Sequence, residues 1–153
     1  MKRMHEKNHY RHLGIMAALS FAAMYVLMYA MVNAIDDVFM NVNQVYMAGL
    51  MTAPMVVIEL VVMRAMYHDT KLNAIIVGAG VVLGVAMFVA IQQQAAVGDR
   101  QFLRSMIPHH SAAILMCREA SIGDREISQL CQAITSGQQR EIDQMNAILR
   151  RLQ

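Results

Sequence analysis

The chain has 153 residues, 57% of them hydrophobic and only 16% charged, with a formal net charge of +2. Soluble domains carry about 25% charged residues, so this composition excludes a disordered chain and argues against a soluble enzyme, and 13 Lys plus Arg against 11 Asp plus Glu gives no field suited to nucleic acid. Two Cys exclude a disulfide-dense scaffold, whereas 16 Met and 6 His in a chain with no Trp form a bias that needs a cause.

The N-terminal eleven residues hold Lys2, Arg3, Lys7 and Arg11. Beside them His5, His9 and His12 fall at i, i+4 and i+7, one helical face, with Met1, Met4 and Met16 nearby. Imidazole with thioether suits copper, and a basic helix facing lipid headgroups fits the same residues. A first transmembrane helix is expected over about 13–35, a second over 42–63 and a third over 72–91, each long enough to cross a hydrocarbon core of about 30 Å. Val32-Asn33-Ala34 loosely resembles a signal cleavage site, but the apolar run before it exceeds the roughly 7 to 15 residues of a signal core.

Met24, Met28 and Met31 make a stripe in the first span, and Met47, Met51 and Met55 make another in the second. Pro54 leaves the Leu50 carbonyl without its helical donor and predicts a kink beside those thioethers. Such a seam either passes soft metal ions or simply packs, since Met is a flexible core filler. Gly80 and Gly84 form a G-x-x-x-G in the third span, which permits close helix approach within or between chains. Basic residues near the spans number six on the side of the N-terminus and the 64–71 connection, against Arg100 and Arg104 on the other. The N-terminus is therefore expected in the cytoplasm and the C-terminal segment outside.

From Asp99 the pattern turns amphipathic. Asp99 is a candidate N-cap for a helix to about Ala120, Gly123 a candidate stop, and Asp124 the N-cap of a second helix to about Leu152. Residues 99–153 thus read as a helical hairpin following a membrane domain of residues 1–98. On its first helix Phe102, Met106, His109, His110, Ala113, Met116 and Cys117 share one face. On its second, Ile127, Cys131, Ile134, Gln138, Glu141, Met145, Ile148 and Leu152 do the same. Antiparallel pairing about the turn puts Cys117 near Cys131 and sets Met106 and His110 level with Gln138 and Glu141. The histidines, Gln138 and Glu141 then satisfy one another or a bound ion, and the two Cys add soft ligands or form a disulfide. Ile107-Pro108 predicts a local break, after which the histidines start a fresh helical turn.

The string Phe102-Leu103-Arg104-Ser105-Met106-Ile107-Pro108-His109-His110-Ser111-Ala112-Ala113-Ile114-Leu115-Met116, followed by Ile134 and by Gln138-x-x-Glu141-Ile142-x-x-Met145, resembles the bacterial family known as domain of unknown function 305. The resemblance implies a ferritin-like helical bundle in exported proteins linked to copper binding and tolerance, with Met106, His109, His110, Met116 and Met145 as ligands. The N-terminal part resembles the three-span, Met-rich segment of some members, through Met24-Tyr25, Met28-Tyr29 and Pro54-Met55. Ile148 stands where members often have Trp, Ser111-Ala112 where Gln-Gly is common, and Cys117 and Cys131 lie outside the pattern.

The expectation is an all-α protein: three transmembrane helices and an amphipathic hairpin. One hairpin leaves its apolar stripe half covered, so a homodimer completing a ferritin-like four-helix bundle is expected. The sequence shows neither a paired catalytic carboxylate nor a nucleophile with an oriented base, so no enzyme is expected. The function read from it is a multi-pass protein of a bacterial inner membrane, in the lipid bilayer, whose periplasmic or extracellular hairpin binds Cu(I) or a similar soft ion. Tolerance, storage or delivery to copper-handling proteins would follow, with Met106, His109, His110, Met116, Cys117, Cys131, Glu141 and Met145 as the site and His5, His9, His12, Met47, Met51 and Met55 as secondary candidates. A structural dimerisation module, or a thiol redox protein using Cys117 and Cys131, fits the same sequence.

Overall fold

A computed structural model describes residues 2–152, with side chains from residue 8 onward. Among them there are only helices, in the order α1 (Lys2–Leu27), two short 3-10 turns (Met28–Met31 and Ile35–Asp37), α2 (Val42–Val62), α3 (Thr70–Gln92), α4 (Asp99–Glu119) and α5 (Arg125–Arg151). The chain divides into two compact units, one of residues 1–27 and 43–95, the other of 28–42 and 96–153.

Three helices are long and apolar enough to cross a bilayer, over Asn8–Met31, Val42–Val62 and Thr70–Gln92, and all of them but Met28–Met31 and Val42 belong to the first unit. The first of these ends four residues before the expected Ile35, because the chain leaves α-helix after Leu27 and continues as 3-10 turn. Apolar side chains face outward along them: α3 buries no residue, and Ile75, Val82, Val85 and Phe88 are exposed. Such a surface is unfavourable in water and favourable against acyl chains. Leu13, Leu60 and Tyr67 close the small core at one end, flanked by Tyr10, Met16, Val56 and Ile76. The Tyr10 hydroxyl donates to Asn73 Oδ1 at 2.8 Å. Asp69 caps α3 by accepting from the amides of Lys71 and Leu72. At the other end Tyr46 donates to the Ala95 carbonyl at 2.9 Å and Asn43 to Gln94 Oε1 at 2.9 Å.

The G-x-x-x-G faces α2 of the same chain. A Cβ on Gly80 would lie 3.6 Å from Val57 and one on Gly84 3.6 Å from Ala53, both ordinary contacts. Gly49 is tighter, since a Cβ there would come within 3.2 Å of Met87. α2 runs unbroken through Pro54.

The second unit is the expected hairpin with an addition. α4 and α5 pack antiparallel around Leu103, Ile107, Ile114, Ile142, Met145 and Leu149. Asp124 caps α5 as expected, accepting from the amides of Glu126 and Ile127 at 2.8 and 2.9 Å. Two local expectations shift. The N-cap of α4 is Gly98 rather than Asp99, and α4 continues through Pro108 instead of breaking there. The addition is the segment 28–42, expected in the membrane domain, which lies along α4 as a strap. Phe39 packs on the hairpin core, the Asn33 amide donates to Ser111 Oγ at 3.1 Å, and the Val42 amide donates to Gln101 Oε1 at 3.2 Å. Ser111 Oγ in turn donates to Asp37 Oδ2 at 2.6 Å, both residues being buried. The strap holds its own shape through Phe39, whose carbonyl accepts from the Tyr29 hydroxyl and from the Asn41 side-chain Nδ2.

Candidate functional site

His110 stands at the middle of the hairpin, on the side of α4 that meets α5, and is 8% exposed. Its Nδ1 lies 3.0 Å from the carbonyl of Met106, one turn back. A carbonyl only accepts, so Nδ1 carries the hydrogen. Its Nε2 lies 2.7 Å from Glu141 Oε2 across the hairpin. With Nδ1 turned to the Met106 carbonyl, Nε2 faces the Glu141 carboxylate. The Met106 carbonyl fixes the ring so that Nε2 points at Glu141, in the way a backbone acceptor orients a ligating imidazole. Glu141 is 60% exposed, so the pair opens to solvent on one side.

One turn before Glu141, Gln138 encloses its Oε1, and among the described residues no donor reaches that atom. A buried acceptor without a donor costs about 1–3 kcal/mol. Around His110 the remaining candidates divide. Met106 is half-buried against the core, and Met145 lies within it among Ile142 and Leu149. His109 is exposed, its ring centroid 6.5 Å from that of His110. Met116 is 59% exposed and two turns beyond His109, about 10 Å along the axis.

The face drawn from the sequence therefore packs only in part, through Met106 and His110. The core side of α4 runs through Leu103, Ile107, His110 and Ile114, whereas Phe102, His109 and Met116 line an exposed flank. That flank is roughly opposite Ser111 around the helix, at about 100° per residue, so the strap leaves it open. On α5 the missed core residues are Ile142 and Leu149, and Ile127 of the expected stripe is exposed.

Cys117 and Cys131 form a disulfide, with Cα atoms 5.2 Å apart. In this state neither sulfur is a thiolate, so both leave the donor set expected for a soft ion. Among the described residues no three His, Cys, Asp or Glu side chains gather closely enough to hold a metal by themselves. At the N-terminus the side chain of His5 lies outside the described residues, with those of Met1 and Met4. His9 turns against Tyr67, ring centroids 6.5 Å apart, and His12 is exposed. Met47 and Met51 are both exposed and Met55 half-buried, which is a surface stripe rather than an enclosed seam.

Sequence reasoning missed the buried Asp37–Ser111 pair. Nothing local to Asp37 signals a partner 74 residues away.

An all-α chain with three helices fit to cross a membrane and a His-Glu contact inside a strapped hairpin is the class these observations define. The chain belongs to the family described as Domain of unknown function (DUF305), which matches residues 62–149. An uncharacterized protein of Acanthamoeba polyphaga mimivirus is 37% identical over 138 residues, covering 88% of this chain and 89% of its own length. That relative is viral and lends no support to the bacterial setting expected from the family resemblance. No solved structure matches.

Proposed function

We propose that this is a membrane-anchored protein whose hairpin takes up a soft metal ion, with Cu(I) the best chemical match, for tolerance, storage or delivery to a copper-handling protein. The observation that carries the reading is His110, whose Nε2 is oriented by the Met106 carbonyl toward Glu141 at 2.7 Å. An ion entering there needs neutral imidazole and ionised carboxylate, so uptake weakens as pH falls. Gln138 Oε1 offers a further oxygen one turn away, and Met106 and His109 supply the thioether and second imidazole that favour copper over hard cations. One chain offers few donors at this point. A second copy laid on the open flank of Phe102, His109 and Met116 adds another set and completes a four-helix bundle. In this reading the three apolar helices hold the hairpin at a bilayer, the N-terminus lies in the cytoplasm and the hairpin on the far side.

The test is a competition titration with a Cu(I) chelator under anaerobic, thiol-free conditions that keep the Cys117–Cys131 disulfide closed, on the full chain in detergent. Changing His109 and His110 together to Ala should weaken copper binding by at least tenfold, while Ile107→Val, a volume change in the same core, should leave it within about twofold. Equal affinity in all three proteins overturns the reading and leaves the hairpin as a packing and dimerisation module.

A further inference from the structure

Of the described residues between Ile114 and Ile142, none is buried. The buried core ends at those two side chains, and nearer the turn the two helices are joined by the Cys117–Cys131 disulfide instead. Closing a loop of this length is worth about 3 kcal/mol in the chain-entropy account. The disulfide is not sealed. Both half-cystines are half-buried and line an open groove of about 590 Å³, with Arg118, Gln132, Thr135, Ser136 and Gln139 among its walls. That volume falls within the roughly 300–1,000 Å³ of small-molecule clefts. Among the described residues lining it, Arg118 is the charged one. A staple serves best when thiols cannot reach it, and exposed disulfides are the exchangeable ones.

We propose that this groove is a thiol-exchange site, taking a small anionic thiol that Arg118 attracts, and that reduction releases the turn end of the hairpin. A thiolate attacks Sγ of Cys117, the S–S bond breaks, and its electron pair leaves on Sγ of Cys131. The mixed disulfide is resolved by a second thiolate attacking the outer sulfur, which releases the small disulfide and the Cys117 thiolate. Two thiols thus supply two electrons, and both cysteines take up the protons those thiols lost. Arg118 favours the anion on approach and the thiolate as it forms. Gln132 and Thr135 offer hydrogen bonds to peptide or carboxylate groups of the reductant, while Ser136 and Gln139 already donate to the Ala133 carbonyl and to Asp143. This goes beyond metal uptake and stands without it.

The experiment uses the full chain in detergent, with glutathione as the anionic probe and 2-mercaptoethanol as the neutral one. Opening is followed by alkylation and intact mass, and each rate is divided by the rate for the same thiol on denatured protein, which cancels intrinsic reactivity. The normalised glutathione rate should exceed the 2-mercaptoethanol rate by about three- to five-fold at low salt, the range of one exposed charge pair. Arg118→Ala should abolish that preference without changing the 2-mercaptoethanol rate, and Arg118→Lys should keep most of it. On opening, amide exchange should quicken over residues 115–135 and stay slow at 142–149. Equal normalised rates, an Arg118→Ala effect common to both thiols, or opening only in denaturant would each overturn the proposal.

Discussion

Ser111→Ala tests whether the strap is bonded to the hairpin or merely lies beside it. The Ser111 hydroxyl donates to the Asp37 carboxylate at 2.6 Å and accepts from the Asn33 amide at 3.1 Å, and Ser111 is fully buried. Alanine fills nearly the same space, so no cavity contributes. The loss is one hydrogen bond to a charged group, worth about 1.5–3 kcal/mol, and one amide left without its acceptor, worth about 1 kcal/mol. Together they amount to about 3 kcal/mol at the strap. Local opening of the strap should then become about 100-fold more frequent, since each 1.4 kcal/mol is about tenfold. Amide hydrogen exchange across residues 28–42 reads this directly, and the core amides around Ile142 serve as the internal reference. The Asp37→Ala, Ser111→Ala double-mutant cycle should give a coupling of about 1.5–3 kcal/mol. Strap exchange unchanged within about threefold, or additive single effects, would refute the argument that these two side chains bind the strap.

The glycines of the α2–α3 seam separate by the space each leaves. Gly80→Ala should leave thermal stability nearly unchanged, as its Cβ meets only ordinary contacts, while Gly49→Val should lower it by about 1–3 kcal/mol because Met87 is in the way at 3.2 Å. A thermal scan of both in one detergent distinguishes them, and the reverse ordering would place the close approach elsewhere. Burial pushes the Tyr67 phenol above its ordinary value, and the charge of Glu59 and then Tyr10 add to the rise. The unfolded phenol therefore ionises first, so stability from this group is fully present below about pH 10 and falls as pH rises past it. Difference absorbance at the phenolate band should show one tyrosine titrating late, lost on Tyr67→Phe.

Much of this protein is legible in the amino-acid order. Three runs of apolar residues are long enough for a bilayer wherever the rest of the chain goes, because length and hydropathy are local quantities. The hairpin is equally local. Its register follows from the turn at Ser121 to Asp124, and that register alone brings Cys117 to Cys131 and His110 to Glu141. Helical periodicity also gathers Phe102, His109 and Met116 on one flank, but α4 carries apolar residues on two flanks, and periodicity cannot say which is buried. Tertiary structure decides that, by packing Leu103, Ile107 and Ile114 against Ile142, Met145 and Leu149 and laying the strap beside Ser111. The buried Asp37–Ser111 pair belongs wholly to that level, because its members are 74 residues apart and meet only once the segment before α2 has folded onto α4. Spacing along a helix fixes which side chains are neighbours on its surface, and only the partners that surface finds determine whether they become core, ligand or open face.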